Sequence, residues 1–519
     1  MKNGLYKGAL LLTVCALVGK LVGAFYRIPF AMIVGGEGVG LYQLVYPLYA
    51  LMLTISTSGL PSSISKLLSQ SYAAGEHGLA KRYFRYSLAI IITLSSIAFV
   101  LVLSLSGVLA EWQGNPDASL CYAVISPALV FAGVVAGIRG YFQAQENMLP
   151  TAISGLVEQI VKVAVGLLLA FMLKDYGIVY ATAGAMLGVT ASELVASIYM
   201  IISLKVFQKK RPTILLQESE HYSRKQIVSN ILKISVPIAF GGLIMPITLI
   251  VDSTLIVKIL SSTMDVSRAT MLFGLQSGVV GSLVNLPVVA SIAVQTVVLP
   301  RLTREKTQKN AKDAQKTIKN ALFFTLIITI PCAFCYYFFS NNIINLLYSK
   351  SFNAEQIEIA SRLLRFGSLN IIMLSLAQVT AGILQGLGKV KIPVFSMLIA
   401  SIVKVISVYL LVNNANIGIY GAEISDVICY LLVSVINLFV IHKSVKFNAA
   451  KELIEVAIVS VIVALASYFS KSLLSNVLSS SLVLLVGGSA TVLIYFVTLT
   501  AVIKLNRHKN ADAIEVNFK

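Results

Sequence analysis

The sequence predicts an all-α polytopic membrane protein with about 14 transmembrane helices, on three observations. Hydrophobic residues make up 57% of the chain and charged residues only 12%, too apolar a balance for a soluble multidomain protein. Apolar runs of about 20 residues or more, the length needed to cross about 30 Å of hydrocarbon, recur almost without interruption. No sustained period-2 alternation with turns every ten residues accompanies them, so the closed barrel, the other way to satisfy a spanning backbone, is set aside.

The runs fall at 5–34, 41–72, 84–110, 119–145, 150–174, 178–205, 229–260, 269–300, 318–340, 357–386, 392–413, 418–442, 452–471 and 481–504. The first is long, carries charges and lacks a small-residue cleavage site, so it reads as a retained helix rather than a signal peptide. Cys15, Cys121, Cys332, Cys335 and Cys429 lie in apolar runs. Cys332 and Cys335 lack the second ligand pair of a zinc site.

The net charge of +19 comes from lysines and arginines in short segments between runs. That distribution marks topology rather than a nucleic-acid surface. Lys81, Arg82 and Arg85, the segment 205–225, the segment 301–319, Lys389 and Lys391, and Lys443, Lys446 and Lys451 alternate with loops that hold few cations. The positive-inside rule then puts both termini in the cytoplasm, consistent with an even number of helices. The segment 301–319 is basic and amphipathic and reads as a solvated connector, and the tail 510–519 as disordered.

The longest polar interruption suggests the domain plan: an N-terminal lobe at 1–207, a linker at 208–228, a second lobe at 229–446, and a final helix pair with a tail at 447–519. A repeat supports two six-helix lobes. Gly140, Gln143 and Lys162 are matched by Gly382, Gln385 and Lys404 at a constant offset of 242, and Pro150 by Pro393 with one residue slipped. Leu60-Pro61 is echoed by Leu299-Pro300. The offset preserves helix direction, so the repeats are parallel, related by an axis along the membrane normal.

Charged residues inside spans are costly, at least about 2.5–3.5 kcal/mol at the bilayer centre, and normally face a bundle interior or wet cavity. Lys20 and Arg27 share one stripe of the first helix, two turns apart with Gly23 between them. Two readings stand for them: paired or snorkelling side chains, or the lining of an anion-binding cavity. Lys66, Arg139, Lys162 and Lys404 add cations, and Gln43, Gln143 and Gln385 add polar groups at motif and repeat positions. Glu158 and Lys162, at i,i+4, form a local ion bridge on the bland reading. Lys404 has Ala400 at the equivalent position and so no such neighbour. Glu193 and Asp252 either pair with these lysines or bind a coupling ion such as Na+ or H+, and Glu158 and Asp426 are further candidates for that ion. No Walker loop, nucleophile elbow or histidine cluster is present, so neither an enzyme nor a cofactor is expected.

The pattern Lys20-x-x-Gly23-x-x-x-Arg27-Ile-Pro29, Gly38-x-Gly40-Leu-Tyr-Gln43 and Ser58-Gly-Leu-Pro61-x-x-Ile-Ser-Lys66 resembles polysaccharide flippases of the stage V sporulation protein B type. These belong to the multidrug/oligosaccharidyl-lipid/polysaccharide exporter superfamily, with the MurJ lipid II flippases and MATE drug exporters. Val298-Leu-Pro300-Arg-Leu-Thr-Arg304 is similar to the ending of helix 8 in that group. The resemblance implies two six-helix lobes in a V around a cationic cavity, alternating access, and two extra helices flanking a lipid-tail groove. It places Lys20 and Arg27 where MurJ-type proteins carry basic residues. Met52 and Ser282 stand where those proteins have further arginines, leaving Lys66, Lys162 or Lys404 to supply that charge.

The expected function is a flippase moving an undecaprenyl-pyrophosphate-linked saccharide from inner to outer leaflet of the bacterial cytoplasmic membrane. Its expected partners are the lipid-linked anionic saccharide and membrane lipids, with no nucleic acid, and the chain is expected to act as a monomer. The alternatives are a MATE-type cation-coupled drug antiporter and a polytopic membrane glycosyltransferase. Excess cations weigh against the former and the lack of a long outer loop against the latter.

Overall fold

The computed structural model describes residues 2–209, 222–446, 450–474, 482–498 and 500, without the side chains of 2–14, 16, 17, 20, 24, 450–453 and 474. The expected linker is therefore described only at its margins, and the tail 510–519 lies outside the described residues. Every regular element among the described residues is helical.

The first, α1 (Lys2–Thr57), has 56 residues, about 84 Å at 1.5 Å per residue. It does not run straight. Gly35 has φ 67° and ψ −176°, a region open essentially to glycine alone. The rings of Phe30 and Tyr42 are 5.1 Å apart, although twelve residues of straight helix would separate them by about 18 Å. The chain turns back at Gly35, and α1 is two packed arms, 2–34 and 36–57. A second break at Gly59 (φ 79°) starts α2 (Leu60–Ala73), with Pro61 in its first turn. The expected run 41–72 is thus two helices.

Next come α3 (His77–Ser104), the short α4 (Ser106–Trp112), α5 (Ala118–Ile125), α6 (Ala128–Ala144), α7 (Leu149–Leu173), α8 (Ile178–Lys209) and α9 (Arg224–Ser261). Ser223 and Gln226 form a capping box that starts α9, satisfying two backbone donors at once. A π-helical stretch at Gly274–Val280 joins α10 (Val266–Phe273) to α11 (Gly281–Thr307). After it follow α12 (Ala311–Tyr348), α13 (Ala354–Gly386), α14 (Lys391–Val412), α15 (Tyr420–Ser444) and α16 (Ala450–Leu474), then a shorter apolar helix, α17 (Leu482–Thr498). The basic connector is mostly helix, the end of α11 and start of α12.

Twelve of the described helical stretches are long and apolar enough to cross a membrane, Leu21–Ala73 being counted once. Dividing that stretch at Gly35 and adding the shorter α17 brings the described helices close to the expected count.

The chain packs as two compact units, Met1–Val279 and Val280–Lys519. In the first, Ile64 and Leu68 of α2, Tyr83 and Ile91 of α3, Ile138 and Phe142 of α6, Met200 of α8, and Ile227 and Ile231 of α9 share one core. Asn230 of α9 donates to the Tyr83 hydroxyl at 2.9 Å. The first turns of α9 thus belong to the core of the first compact unit, which runs on to Val279. In the second, Leu302 of α11, Ile318 of α12, Ile383 and Leu384 of α13 and Ile441 of α15 form the corresponding core. Ile327 of α12 packs with Val459 and Val463 of α16 and Tyr495 of α17.

The repeat is legible in the packing of each unit. Gly140 lets the Pro61 backbone approach, with 2.9 Å left for a Cβ, while its counterpart Gly382 lies against Gln295 of α11. Ser69 donates to the Ala144 carbonyl at 3.1 Å. The Gly386 carbonyl, 242 residues after that of Ala144, likewise accepts from a hydroxyl, that of Thr303 at 3.4 Å, although Thr303 does not stand at the offset from Ser69.

Candidate functional site

The two arms of α1 carry a ladder of aromatic rings. Tyr26 stacks on Phe30 at 5.6 Å, Phe30 meets Tyr42, Tyr42 stacks on Tyr46 at 5.6 Å, and Tyr46 meets Tyr49 at 5.8 Å. The hydroxyls of Tyr26 and Tyr49 are buried with no hydrogen-bond partner among the described residues, each costing about 1–3 kcal/mol while unmet. Sequence reasoning missed these tyrosines. Tyr42, Tyr46 and Tyr49, at helical spacing, were the available signal.

Beside the ladder the first unit gathers its membrane charges. Arg139 of α6 binds Glu158 of α7 at 3.1 Å and donates through Nε to Ser154 Oγ at 3.0 Å. Lys162, one turn further along α7, lies within electrostatic reach of Glu158, Arg27 and Glu193. Glu193 of α8 is 8% exposed and lies within electrostatic reach of Glu158, Arg139 and Lys162. Tyr46 lies within electrostatic reach of Arg27, Glu158 and Glu193. Four elements thus bring three cations and two acids together, a formal balance of +1 (3 − 2). The expected Glu158–Lys162 bridge gives way to Glu158–Arg139. The packing of α6 on α7 brings a guanidinium, with its several fixed donors, to the carboxylate, and such pairs outcompete a lysine point charge.

The remaining candidates divide. The side chain of Lys20 lies outside the described residues, although Gly19 and Gly23 on either side of it abut Gln159 of α7, each leaving 3.3 Å for a Cβ. Gln43 donates from Nε2 to the Ser277 carbonyl at 3.0 Å and so ties the second arm of α1 to the π-helical stretch. Gln143 and Gln385 are half-buried and Lys66 is exposed. Asp252 of α9 is buried, 6% exposed.

Lys404 corrects the expectation that it has no acidic neighbour. Its Nζ lies 2.5 Å from Asp426 Oδ1 on α15, in the second unit. The acid comes from the next helix rather than from i−4 on α14, so spacing along one helix could not reveal it. In the same helix layer Asn370 of α13 donates to Glu423 of α15 at 3.4 Å.

A family model described as polysaccharide biosynthesis protein matches residues 5–306, more than half the chain. The chain belongs to the polysaccharide biosynthesis protein family. A second model, MatE, matches residues 237–410. Among relatives, Stage V sporulation protein B of Bacillus subtilis (strain 168) is 26% identical over 449 residues, covering 85% of this chain and 84% of that one. The Lipid II flippase MurJ of the same organism is 27% identical over 428 residues, covering 78% and 77%. The structure of a Lipid II flippase MurJ in an inward closed conformation aligns with TM-score 0.74 at 16% identity, over 95% of this chain and 98% of that one. An inward-facing MATE family transporter of the MOP superfamily aligns with TM-score 0.68 at 14% identity, over 84% and 98%. This member of the family therefore has the fold of that superfamily, and its charges sit inside helices that span a membrane.

Proposed function

We propose that the protein is a flippase that moves an undecaprenyl-pyrophosphate-linked saccharide from the inner to the outer leaflet of a bacterial cytoplasmic membrane. The observation that carries this reading is the assembly of Arg27, Arg139 and Lys162 beside unmet tyrosine hydroxyls within the membrane-spanning part of the first unit. A pyrophosphate head cannot enter hydrocarbon without losing its hydration, and a cluster of guanidinium, ammonium and phenol donors replaces that hydration. The stripe position of Lys20 adds a further cation to the same proposed site. The potential across the membrane favours outward movement of negative charge by about 2.3 kcal/mol per charge per 100 mV, so ATP is not required.

In this proposal the lobes 1–207 and 229–446 alternate access, the two termini face the cytoplasm and the protein acts as a monomer without nucleic acid. The names of the relatives, a sporulation protein and a lipid II flippase, support a cargo of this kind. Lys404 contributes to cargo binding only when it exchanges Asp426 for phosphate.

A second reading, a cation-coupled drug antiporter, is favoured by two observations: the match to the MatE model and the buried acids Glu193 and Asp252. One experiment separates the two. Purified protein in vesicles is assayed for translocation of a labelled lipid-linked precursor and, in parallel, for ethidium efflux under a Na+ or H+ gradient. Precursor translocation without ethidium efflux is expected; the opposite pattern would overturn the flippase reading.

A further inference from the structure

The second unit holds a polar groove that the function above does not use. It lies where the end of α12 meets the start of α13, has a volume of about 350 Å³, and is lined by Asn341, Asn345, Glu358, Ser361, Arg362 and Arg365. Its location follows from helix lengths. α12 has 38 residues and α13 has 33, about 57 and 50 Å against a hydrocarbon core of about 30 Å, so these ends reach into the aqueous interface. Asn341 is thirty residues along α12 from Ala311, about 45 Å from the basic connector, and hence on the extracytoplasmic side by the positive-inside argument.

The groove is built. α12 departs from helical geometry at Phe339 (φ −101°, ψ 17°), two residues before Asn341. Asn345 then donates to Asn341 Oδ1 at 3.0 Å, and Ser361 reaches the same oxygen at 3.3 Å. Tyr348 stacks on Phe352 at 4.8 Å, and a capping box of Asn353 and Gln356 starts α13. Arg362 is held by Glu358 at 2.5 Å. Arg365 makes no ion pair among the described residues; its guanidinium lies 5.8 Å from the ring centre of Tyr337, which is 45% exposed, and it is within electrostatic reach of Lys471 on α16.

Two carboxamides and a hydroxyl line the groove with hydrogen-bond donors and acceptors of the kind sugar hydroxyls use. Two arginines against one carboxylate leave an excess positive charge, suited to bidentate contact with an oxyanion. An exposed tyrosine ring beside them offers an apolar face. We infer that this groove is an extracytoplasmic binding site for an acidic saccharide, a sugar ring bearing a carboxylate or phosphate. The inference rests on the flippase reading only for its purpose, which is to hold the sugar head of the cargo as it emerges and so oppose its return.

The test uses the full-length protein in detergent, with glucuronate, glucose and inorganic phosphate as probes, followed by saturation-transfer NMR and competition. Glucuronate should bind at least about tenfold more tightly than glucose, since one charge-assisted contact distinguishes them. Phosphate should compete more weakly than glucuronate because it uses the arginines alone. Arg365→Gln should weaken glucuronate about tenfold, with Arg365→Lys intermediate, and Asn345→Leu should weaken glucuronate while leaving phosphate binding in place. Thermal unfolding of each variant checks that the fold survives. Equal binding of glucose and glucuronate, phosphate competing as well as glucuronate, or unchanged glucuronate affinity in folded Arg365→Gln would each overturn the proposal. Binding here needs no translocation, so vesicles that fail to move lipid-linked precursor while this binding persists count against the flippase reading alone.

Discussion

Removing one partner of the Lys404–Asp426 pair tests the packing of the second unit most directly. Lys404 and Asp426 side chains are 9% and 17% exposed and 2.5 Å apart, so solvent screens them little. Taking one member out of an ion pair in such surroundings costs about 3–5 kcal/mol. At about 2–4 °C per kcal/mol for a unit of this size, Lys404→Met and Asp426→Leu should each lower the unfolding temperature by about 6–20 °C. The double variant removes both charges and replaces them by apolar groups of similar volume, which is often neutral or stabilising. It should unfold within a few degrees of the wild type. The assay is thermal unfolding of the detergent-solubilised protein followed by fluorescence or size-exclusion recovery, closed as a double-mutant cycle. The coupling should amount to at least about 3 kcal/mol. Additive losses, with the double variant the least stable of the four proteins, would refute the claim that these groups compensate one another across α14 and α15.

The other predictions concern the first unit. Arg27→Ala and Lys20→Ala should abolish translocation at normal membrane abundance, whereas Arg27→Lys should retain part of it, since the charge survives and the bidentate geometry does not; full activity of both alanine variants would remove the cargo site from α1. Glu158→Gln frees Arg139 and raises the local balance from +1 to +2, so an anionic lipid head should bind several-fold more tightly and leave more slowly, as read from single-turnover translocation rates. Gly35→Ala forces a side chain into a backbone region reserved for glycine, at a cost of about 1–3 kcal/mol; circular dichroism should show unchanged helix content with a lower unfolding temperature. In a cysteine-free background, single cysteines at Asp117, exposed in the loop before α5, and at Gln217 should label from opposite sides of the membrane, and labelling from one side would break the fourteen-helix arrangement.

The sequence by itself determined the class of this protein, because hydrocarbon imposes a length and a composition on each span that no soluble fold needs to meet. It also suggested the repeat: Gly140 and Gly382 both sit at close helix contacts, one against the Pro61 backbone and the other against the Gln295 side chain, and the Ala144 and Gly386 carbonyls, 242 residues apart, each accept from a hydroxyl of a neighbouring helix. A linear pattern carries information about neighbours on one helix face. It carries little about which helix lies alongside. Glu158 looked toward Lys162 four residues on, yet the packing of α6 on α7 presents it with Arg139; Lys404 looked solitary on α14, yet α15 presents it with Asp426. The aromatic ladder exists only because the chain turns back at Gly35 and brings Phe30 to Tyr42. These are contacts between helices whose energies depend on distances of a few Å, and the helix packing decides those distances. What the helices are could be read residue by residue; which charges meet was decided by the tertiary structure.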